Sequence, residues 1–366
     1  MTHEHRLRVF SEVISRVASE WPSKAVGAHD PKLWGKLKSL YPHVISLRDI
    51  YMKYFSGDLV NGHIPLASLI FRASWYQIER GGSHNIRTLL ELGLDLCVKC
   101  SDRDSLQVQD LEGDINCCLG AVANETNDAE SCLEYNKRYL EIQLNLQRKS
   151  ELPVEKLPRA YNQMGTAWMM TREYEKAESS FSNSMAGFRA LPIYDMDMMT
   201  FPMANIGLAY WLQGRLDDAA AVLEEGLNER EEAFGVMDRR CFRSEQFHVK
   251  ALTQYKSTLG AHHHRTADVC HKVAQHCLRN GQKEEAYRLT DQALNVWAVD
   301  ESAYRPEIAR TTFLKAKVAW ALERETDALN LYRKAAKLRR KLTNQHKKHD
   351  QLSESEFDEL VTFWSR

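Results

Sequence analysis

The sequence predicts an all-α fold, in which a small helical bundle precedes a superhelix, or solenoid, of stacked α-α hairpins. The main observation is an internal repeat in residues 157–227. When its two halves are superposed with an offset of 42 residues, side chains of similar kind coincide: Gly165 with Gly207, Trp168 with Tyr210, Tyr174 with Leu216, Ala177 with Ala219, and Phe181 with Leu223. A fixed period of this length predicts a solenoid, because each hairpin buries its apolar face only against the next one.

The residue types at these positions suit a helical hairpin. We expect Gly165 and Gly207 to lie where the two helices of a hairpin touch, because a side chain there would force them apart. Small residues on the second helix, Ala177 and Ala219, meet the same need. The space between successive hairpins is predicted to be filled by four large side chains: Trp168, Tyr210, Phe181 and Leu223.

This pattern resembles the tetratricopeptide repeat. That repeat combines a bulky residue, a Leu-Gly pair or its equivalent, an aromatic three residues later and a small residue nine further on. Its usual period is about 34 residues. A period of 42 residues, with longer helices, is similar to the repeat of kinesin light chains.

Residues 1–60 are predicted to form a helical segment that does not share the period. Pro22 is expected to end a first helix, and two shorter helices are expected on either side of Pro42. The first helix, in residues 3–19, has one apolar face at helical spacing: Leu7, Phe10, Ile14 and Val17.

The repeat array is predicted to cover residues 61–350, beginning with two weaker repeats in 66–150. After the clear repeats it continues, since Ala286 and Ala328 are again 42 residues apart. Each of these alanines is expected to be the small residue of a second helix.

One repeat of the array is predicted to be incomplete. Ser244 lies 42 residues before Ala286, but only 25 residues after Ala219, so 17 residues (42 − 25) are missing. Helices average about 11–12 residues, so this deficit equals one helix and its turn. We therefore expect a second helix without its own first helix, with the break near residues 234–243.

Residues 351–366 are predicted to form a capping helix that covers the last repeat. Ser353 and Glu356 have the spacing of a capping box. One apolar face follows: Phe357, Leu360, Val361 and Trp364.

Taken whole, the chain resembles the repeat arm that follows the NTPase module of fungal NOD-like receptors. The resemblance rests on six segments: HRLRVFSEVISRV, LYPHVISLRDIY, LGAVANETND, TLGAHHHRTADVCHKVA, RPEIARTTFLKAK and FDELVTFWSR. It implies ligand or partner sensing, with self-association in some members. The phosphate-binding pattern G-x-x-x-x-G-K-[ST] does not occur in these 366 residues, so nucleotide-driven switching is not expected. The chain is expected to be a free-standing arm or a fragment of a larger protein.

Composition narrows the class of protein. Hydrophobic residues make up 43% and charged residues 27%, which is typical of a folded soluble protein. The formal net charge of −1 gives no general attraction to nucleic acid or anionic lipid. No signal peptide or membrane-spanning segment is expected. The eight cysteines lack the spacing of a disulfide framework, which predicts reduced thiols and a cytoplasmic location.

The candidate functional site is the inner groove of the superhelix, which the first helix of each hairpin lines. A protein or peptide partner is expected there, because solenoids bind on their concave surface. Methionines and aromatic side chains would provide an adaptable apolar patch. The alternative is that the same side chains are buried against neighbouring helices. The predicted groove residues are Arg159, Asn162, Thr166, Met169, Met170, Phe201, Asn205, Leu208, Trp211, Leu212, Asp268, His271, Gln275, Arg279, Arg310, Phe313, Lys317 and Trp320.

A cluster of histidines and cysteines raises the possibility of zinc binding. Its members are His262, His263, His264, Cys270, His271, His276 and Cys277. Their spacing does not place two ligands a turn apart with a second pair at a fixed distance. No metal is therefore expected.

The basic segment 333–349 supports the alternative function, association with nucleic acid or an anionic membrane. Aromatic residues do not interleave with its charges, so nucleic acid is not the expected partner. No G-x-S-x-G, H-E-x-x-H or Gly-rich dinucleotide motif occurs, so we expect neither catalysis nor a cofactor nor a small-molecule substrate. An accessory role in a biosynthetic pathway is a further alternative. The prediction is a non-catalytic scaffold or sensor arm for protein–protein interaction, with self-association possible.

Overall fold

The computed structural model describes residues 2–22, 33–56, 64–150, 154–192, 196–234 and 244–365, and within these ranges all regular structure is helical. The fold is all-α, as the sequence predicts. The chain divides into two compact units, Met1–Leu223 and Glu224–Arg366. In the part of the chain that is described, no helix has the length and apolar composition needed to cross a bilayer.

In its described residues the first unit has nine complete helices and the start of a tenth. They are α1 (His3–Glu20), α2 (Trp34–Tyr54), α3 (Ile64–Glu79), α4 (Arg87–Val98), α5 (Leu106–Glu125), α6 (Ala129–Arg148), α7 (Lys156–Met170), α8 (Tyr174–Arg189), α9 (Met196–Leu212) and α10 (Leu216–Phe234).

The second unit begins within α10. Its own helices are α11 (Ser244–Thr258), α12 (His264–Arg279), α13 (Lys283–Trp297), α14 (Arg305–Ala321), α15 (Glu325–Thr343) and the five-residue α16 (Glu354–Asp358). The predicted break near residues 234–243 falls mostly on 235–243, which lie outside the described residues.

In the described part of the chain, six hairpins close with the same turn. The pairs are α3–α4, α5–α6, α7–α8, α9–α10, α12–α13 and α14–α15. In each, one residue after the first helix takes a left-handed conformation: Gly81, Asn127, Arg172, Gly214, Gly281 and Glu323. The following N–H then donates to the carbonyl five residues earlier, as from Glu173 to Trp168 at 2.9 Å. This closure caps the first helix and turns the chain back along it.

Glycine on the first helix lets the two helices of a hairpin touch. A Cβ atom on Gly165 would lie 2.4 Å from the ring of Phe181, and one on Gly207 would lie 2.7 Å from Leu223. The prediction for the glycines is therefore confirmed. The prediction that Phe181 and Leu223 fill the space between hairpins was incomplete, because both side chains pack against the glycine within their own hairpin.

The prediction of two helices on either side of Pro42 is wrong. The structure has one helix, α2, with Pro42 inside it. Proline removes one backbone hydrogen bond and crowds the preceding turn. Here α2 continues through this defect because one face stays buried along its whole length: Leu37, Val44, Leu47 and Tyr51.

The segment 1–60 and the first repeats share a single hydrophobic core. This core is continuous from Phe10 in α1 to Val122 in α5, with Trp21 and Tyr51 inside it. The helices that precede the repeat array are therefore packed onto it. They cover the first hairpin, which would otherwise expose its apolar face.

We expect the substitution Gly165→Ala to destabilise the first unit by about 1–3 kcal/mol, because the added methyl group would overlap the ring of Phe181. The control is Gly35→Ala in α2, where a Cβ atom meets nothing within 4 Å. Alanine is a better helix former than glycine, so this control should be unchanged or more stable by up to about 1 kcal/mol. Urea unfolding followed by circular dichroism measures both. Equal midpoints for the two variants would contradict the proposed helix contact.

Candidate functional site

The first helices of consecutive hairpins lie next to one another in each unit. In the first unit α3 contacts α5, α5 contacts α7, and α7 contacts α9, while in the second unit α12 contacts α14. These helices form one layer, which we call the inner face of each unit. All the predicted groove residues lie on four of them: α7, α9, α12 and α14.

An ion-pair cluster links α5 and α7 on the inner face of the first unit. The ammonium of Lys156 lies 2.7 Å from a carboxylate oxygen of Asp110 and 2.8 Å from one of Asp114. Burial raises the pKa of Asp114, and the charge of Lys156 only partly offsets this effect. The cluster fixes the register of α7 against α5.

Several predicted groove residues of α7 are buried. Asn162, Thr166 and Met169 have exposures of 8%, 6% and 2%. Asn162 accepts a hydrogen bond from Asn205 of α9 at 3.0 Å, so it joins two helices of the layer. The hydroxyl of Thr166 donates to the carbonyl of Asn162 in its own helix. These three side chains pack the inner layer, which is the alternative that the sequence left open.

The predicted residues of α9 are more accessible than those of α7. Phe201 is 57% exposed and Trp211 is 51% exposed. Asn205 and Leu208 lie between them in the chain and are half-buried, as is Leu212. Residues at these spacings share one side of a helix, so α9 presents an aromatic stripe on the inner face. Two predicted residues of α7, Arg159 and Met170, are half-buried as well.

Equivalent positions of the repeat differ in their exposure. Met169 occupies the equivalent position 42 residues earlier, and its exposure is 2%, against 51% for Trp211. The same contrast holds between Phe181, which is buried, and Leu223, which is exposed. Inside the stack of hairpins these positions are covered. In α9 and α10 they are exposed.

On the second unit the inner face is covered by residues 352–365, which we call the strap. Its first anchor is Glu354, whose carboxylate accepts hydrogen bonds from Gln275 of α12 at 2.8 Å and from Lys317 of α14 at 2.5 Å. Burial alone would raise the pKa of Glu354, but these two hydrogen bonds and the charge of Lys317 outweigh burial and lower it.

The second anchor of the strap is aromatic. The ring of Phe357 stacks on the ring of Phe313 in α14, with centroids 4.4 Å apart. Phe357 is fully buried in a cluster that also contains Ala309 of α14 and Ala335 of α15. A stacked pair of this kind adds about 0.5–1.5 kcal/mol to the free energy of burial.

The third anchor is the buried guanidinium of Arg310. It donates to the backbone carbonyl of Ser365, and at 2.9 Å to the hydroxyl of Ser365. Asp268 of α12 and Asp358 of the strap lie 3.5 and 3.7 Å away as counter-charges. The hydroxyl of Ser365 in turn donates to Asp268 at 2.9 Å. Beyond this anchor, the ring of Trp364 packs against the guanidinium of Arg265.

The remaining predicted residues of the second unit differ in accessibility. His271 lies fully buried beneath the strap anchors, and its Nδ1 is 2.8 Å from the hydroxyl of Thr311. Burial, and then the neighbouring charge of Arg310, hold its pKa well below the usual value. Arg279 and Trp320 are exposed.

The strap also engages the basic segment 333–349. Glu356 accepts hydrogen bonds from Arg339 at 3.1 Å and from Lys347 at 2.8 Å. It completes the predicted capping box by accepting from the backbone of Ser353. The predicted capping helix is thus a five-residue helix, α16, with a further helical turn at Phe363–Ser365.

The histidine and cysteine cluster is dispersed by the fold. Among the residues that the structure describes, no group of three or more His, Cys, Asp or Glu side chains is arranged to hold a metal ion. Burial raises the pKa of the Cys270 thiol to about 11, which keeps it in its neutral form. His263 caps the start of α12 by accepting from the backbone of Arg265.

Sequence comparison finds the same repeat. A tetratricopeptide-repeat family model matches residues 203–239. This stretch, in α9 and α10, is therefore a tetratricopeptide-type repeat. No curated protein sequence matches it.

Solved structures similar to this chain are helical-repeat proteins of low sequence identity. BtubC (BKLC) from P. vanneervenii is 18% identical over 60% of this chain and 94% of that chain, with a TM-score of 0.49. A Podosopora anserina putative kinesin light chain with nearly identical TPR-like repeats is 14% identical over 63% of this chain and 96% of that chain, with a TM-score of 0.29. Aspartyl phosphate phosphatase F from Bacillus subtilis is 12% identical over 94% and 96%, with a TM-score of 0.48.

We expect His271 to make the second unit less stable as the pH falls below about 6.5. The unfolded chain gains a proton on this imidazole there, whereas the folded chain does not, because its pKa is well below the usual value. The contribution is constant above that pH and is lost below it, by at most about 1.4 kcal/mol per pH unit. Urea unfolding at pH 7.5, 6.0 and 5.0 compares wild type with His271→Gln, in which all other histidines are retained. Parallel pH profiles would contradict the prediction.

Proposed function

We propose that the chain is a non-catalytic interaction scaffold that binds a protein or peptide partner on the inner face of the first unit. The observation that carries this proposal is the aromatic stripe of α9, with Phe201 and Trp211 more than half exposed. Aromatic side chains are the residues that most often dominate binding energy at protein interfaces. Leaving both in water is costly, and a partner that covers them recovers that cost.

The neighbouring side chains suit a peptide with both apolar and polar groups. Leu208, which is half-buried, offers apolar surface on α9 between Phe201 and Trp211 in the chain. Polar groups lie where α7 meets α9: Arg159 of α7 contacts the sulfur of Met198 in α9, and Asn205 of α9 donates to Asn162 of α7. A partner that places an apolar side chain between Phe201 and Trp211 would gain both kinds of contact.

The resemblance to fungal NOD-like receptors supports a more specific form of this proposal. In it, the chain is a cytoplasmic sensor arm that recognises a partner and is capable of self-association. The alternative, binding of nucleic acid or an anionic membrane through segment 333–349, receives less support because Arg339 and Lys347 pair with Glu356. An accessory role in a biosynthetic pathway has no supporting site among the described residues.

We expect Phe201→Ala and Trp211→Ala each to weaken partner binding by about 30-fold, since a hot-spot aromatic contributes about 2 kcal/mol or more. The matched control is Met52→Ala in α2, which removes an apolar side chain of similar exposure (54%) from the helices that precede the array. Pull-down from native lysate with quantitative mass spectrometry identifies partners, and titration of the purified partner gives the affinities. Circular dichroism must show equal helicity for all variants. Equal retention by wild type, both variants and the control would overturn the proposal.

A further inference from the structure

We propose that the inner face of the second unit is a second peptide-binding site, occupied by the strap in this structure and able to take a partner segment of the same chemistry. That segment carries a carboxylate, a phenyl ring three residues later and a second carboxylate directly after the ring. The strap supplies the pattern as Glu354, Phe357 and Asp358. This site does not depend on the α9 stripe, so either proposal stands if the other fails.

The first support is that the strap contacts the inner face through three separate side-chain anchors, as a bound peptide would. Lys317 and Gln275 bind one carboxylate, and Phe313 stacks on the phenyl ring. Arg310 binds the end of the strap and lies near the second carboxylate. Every one of these four inner-face side chains lies on α12 or α14, at a groove position expected to bind a partner.

The second support is charge complementarity between the inner face and the strap. Lys317, Arg310 and Lys272 give the face its positive charge, and Asp268 offsets only part of it. The strap brings Glu354 and Asp358 to the face. An acidic partner segment would satisfy the same cations, whereas a basic or purely apolar segment would replace Asp358 and leave Asp268 alone to balance the charges of Arg310 and Lys317.

The third support is the linker that joins the strap to α15. The helix ends at Thr343, and the next residue, Asn344, takes a left-handed conformation. Among the residues after it, 344–348, 350 and 351 are exposed, and only a short helical turn interrupts them. Eight extended residues span about 27 Å, so the strap can leave the face without unwinding α15.

The linker also determines how strong a competitor must be. A tethered segment faces its site at an effective concentration on the order of millimolar. A free partner at micromolar concentration must therefore bind more tightly than the strap does by about a thousandfold. Partners that match only one anchor are excluded by this requirement.

The test uses the full chain with a specific protease site placed in the linker. After cleavage, the strap stays on its site without being tethered. A fluorescent peptide of residues 352–365, blocked at both ends, is then titrated in, and its anisotropy is measured. We expect one peptide to bind per chain, with unchanged helicity, and the peptide carrying Phe357→Ala to bind at least 30-fold more weakly. The uncleaved chain should bind the native peptide at least 100-fold more weakly than the cleaved chain.

Reversing the charges of Lys317 and Glu354 tests whether this ion pair selects the peptide or whether the peptide only packs on an apolar surface. The cleaved chain carrying Lys317→Glu should no longer bind the native peptide. The same chain should bind the peptide carrying Glu354→Lys at least tenfold more tightly than it binds the native peptide. Failure of exchange with helicity retained would overturn the proposal, as would loss of helicity on cleavage, because the strap would then be a permanent part of the unit. Dimers of the uncleaved chain formed by exchanged straps would also overturn it, since a second copy would be the occupant.

Discussion

The close contact between the two helices of each hairpin is the interaction on which the rest of the structure depends. At Gly165 and Gly207 the opposing side chain lies where a Cβ atom would be. This contact sets the orientation of the second helix, and the repeated left-handed turn sets the direction of return. Together they place the first helices of consecutive hairpins in one layer. The choice of side chains that reach the inner face follows from that layer.

The two units use this layer differently. In the first unit the layer is held by the cluster of Lys156 with two aspartates and by the bond between Asn205 and Asn162, and its aromatic stripe is open. In the second unit the corresponding surface is covered by the strap, which meets it with one carboxylate, one ring and one buried guanidinium contact. The inner face is thus apolar and exposed in the first unit, whereas in the second unit it is polar and covered by the strap.

The sequence predicted the features that depend on period. On either side of the break, the small residues of the second helices and the helices that carry the groove residues repeat every 42 residues, as do Gly165 and Gly207, so they could be found by superposing the sequence on itself. Exposure could not be found in this way. Met169 and Trp211 are equivalent in the repeat, yet one is buried and the other is open, because exposure depends on whether another element lies above.

The strap was recognised as a terminal element, but its contacts could not be predicted. Gln275 and Glu354 are 79 residues apart, and Asp268 and Ser365 are 97 residues apart, so no period relates them. The continuity of α2 through Pro42 has a similar origin. A local rule predicts a break there, and burial of one whole face outweighs it.

The turns of the hairpins have a consequence for how such a chain can evolve. Three of the six left-handed positions carry residues other than glycine: Asn127, Arg172 and Glu323. A side chain in this conformation costs about 1 kcal/mol relative to glycine, and least for asparagine. These three residues therefore lower the stability of the repeat array relative to glycine at the same positions. The cost lies in the turns and not on the inner face. A single change to glycine at such a turn would add stability, and the chain could then tolerate a destabilising substitution elsewhere, including on the inner face.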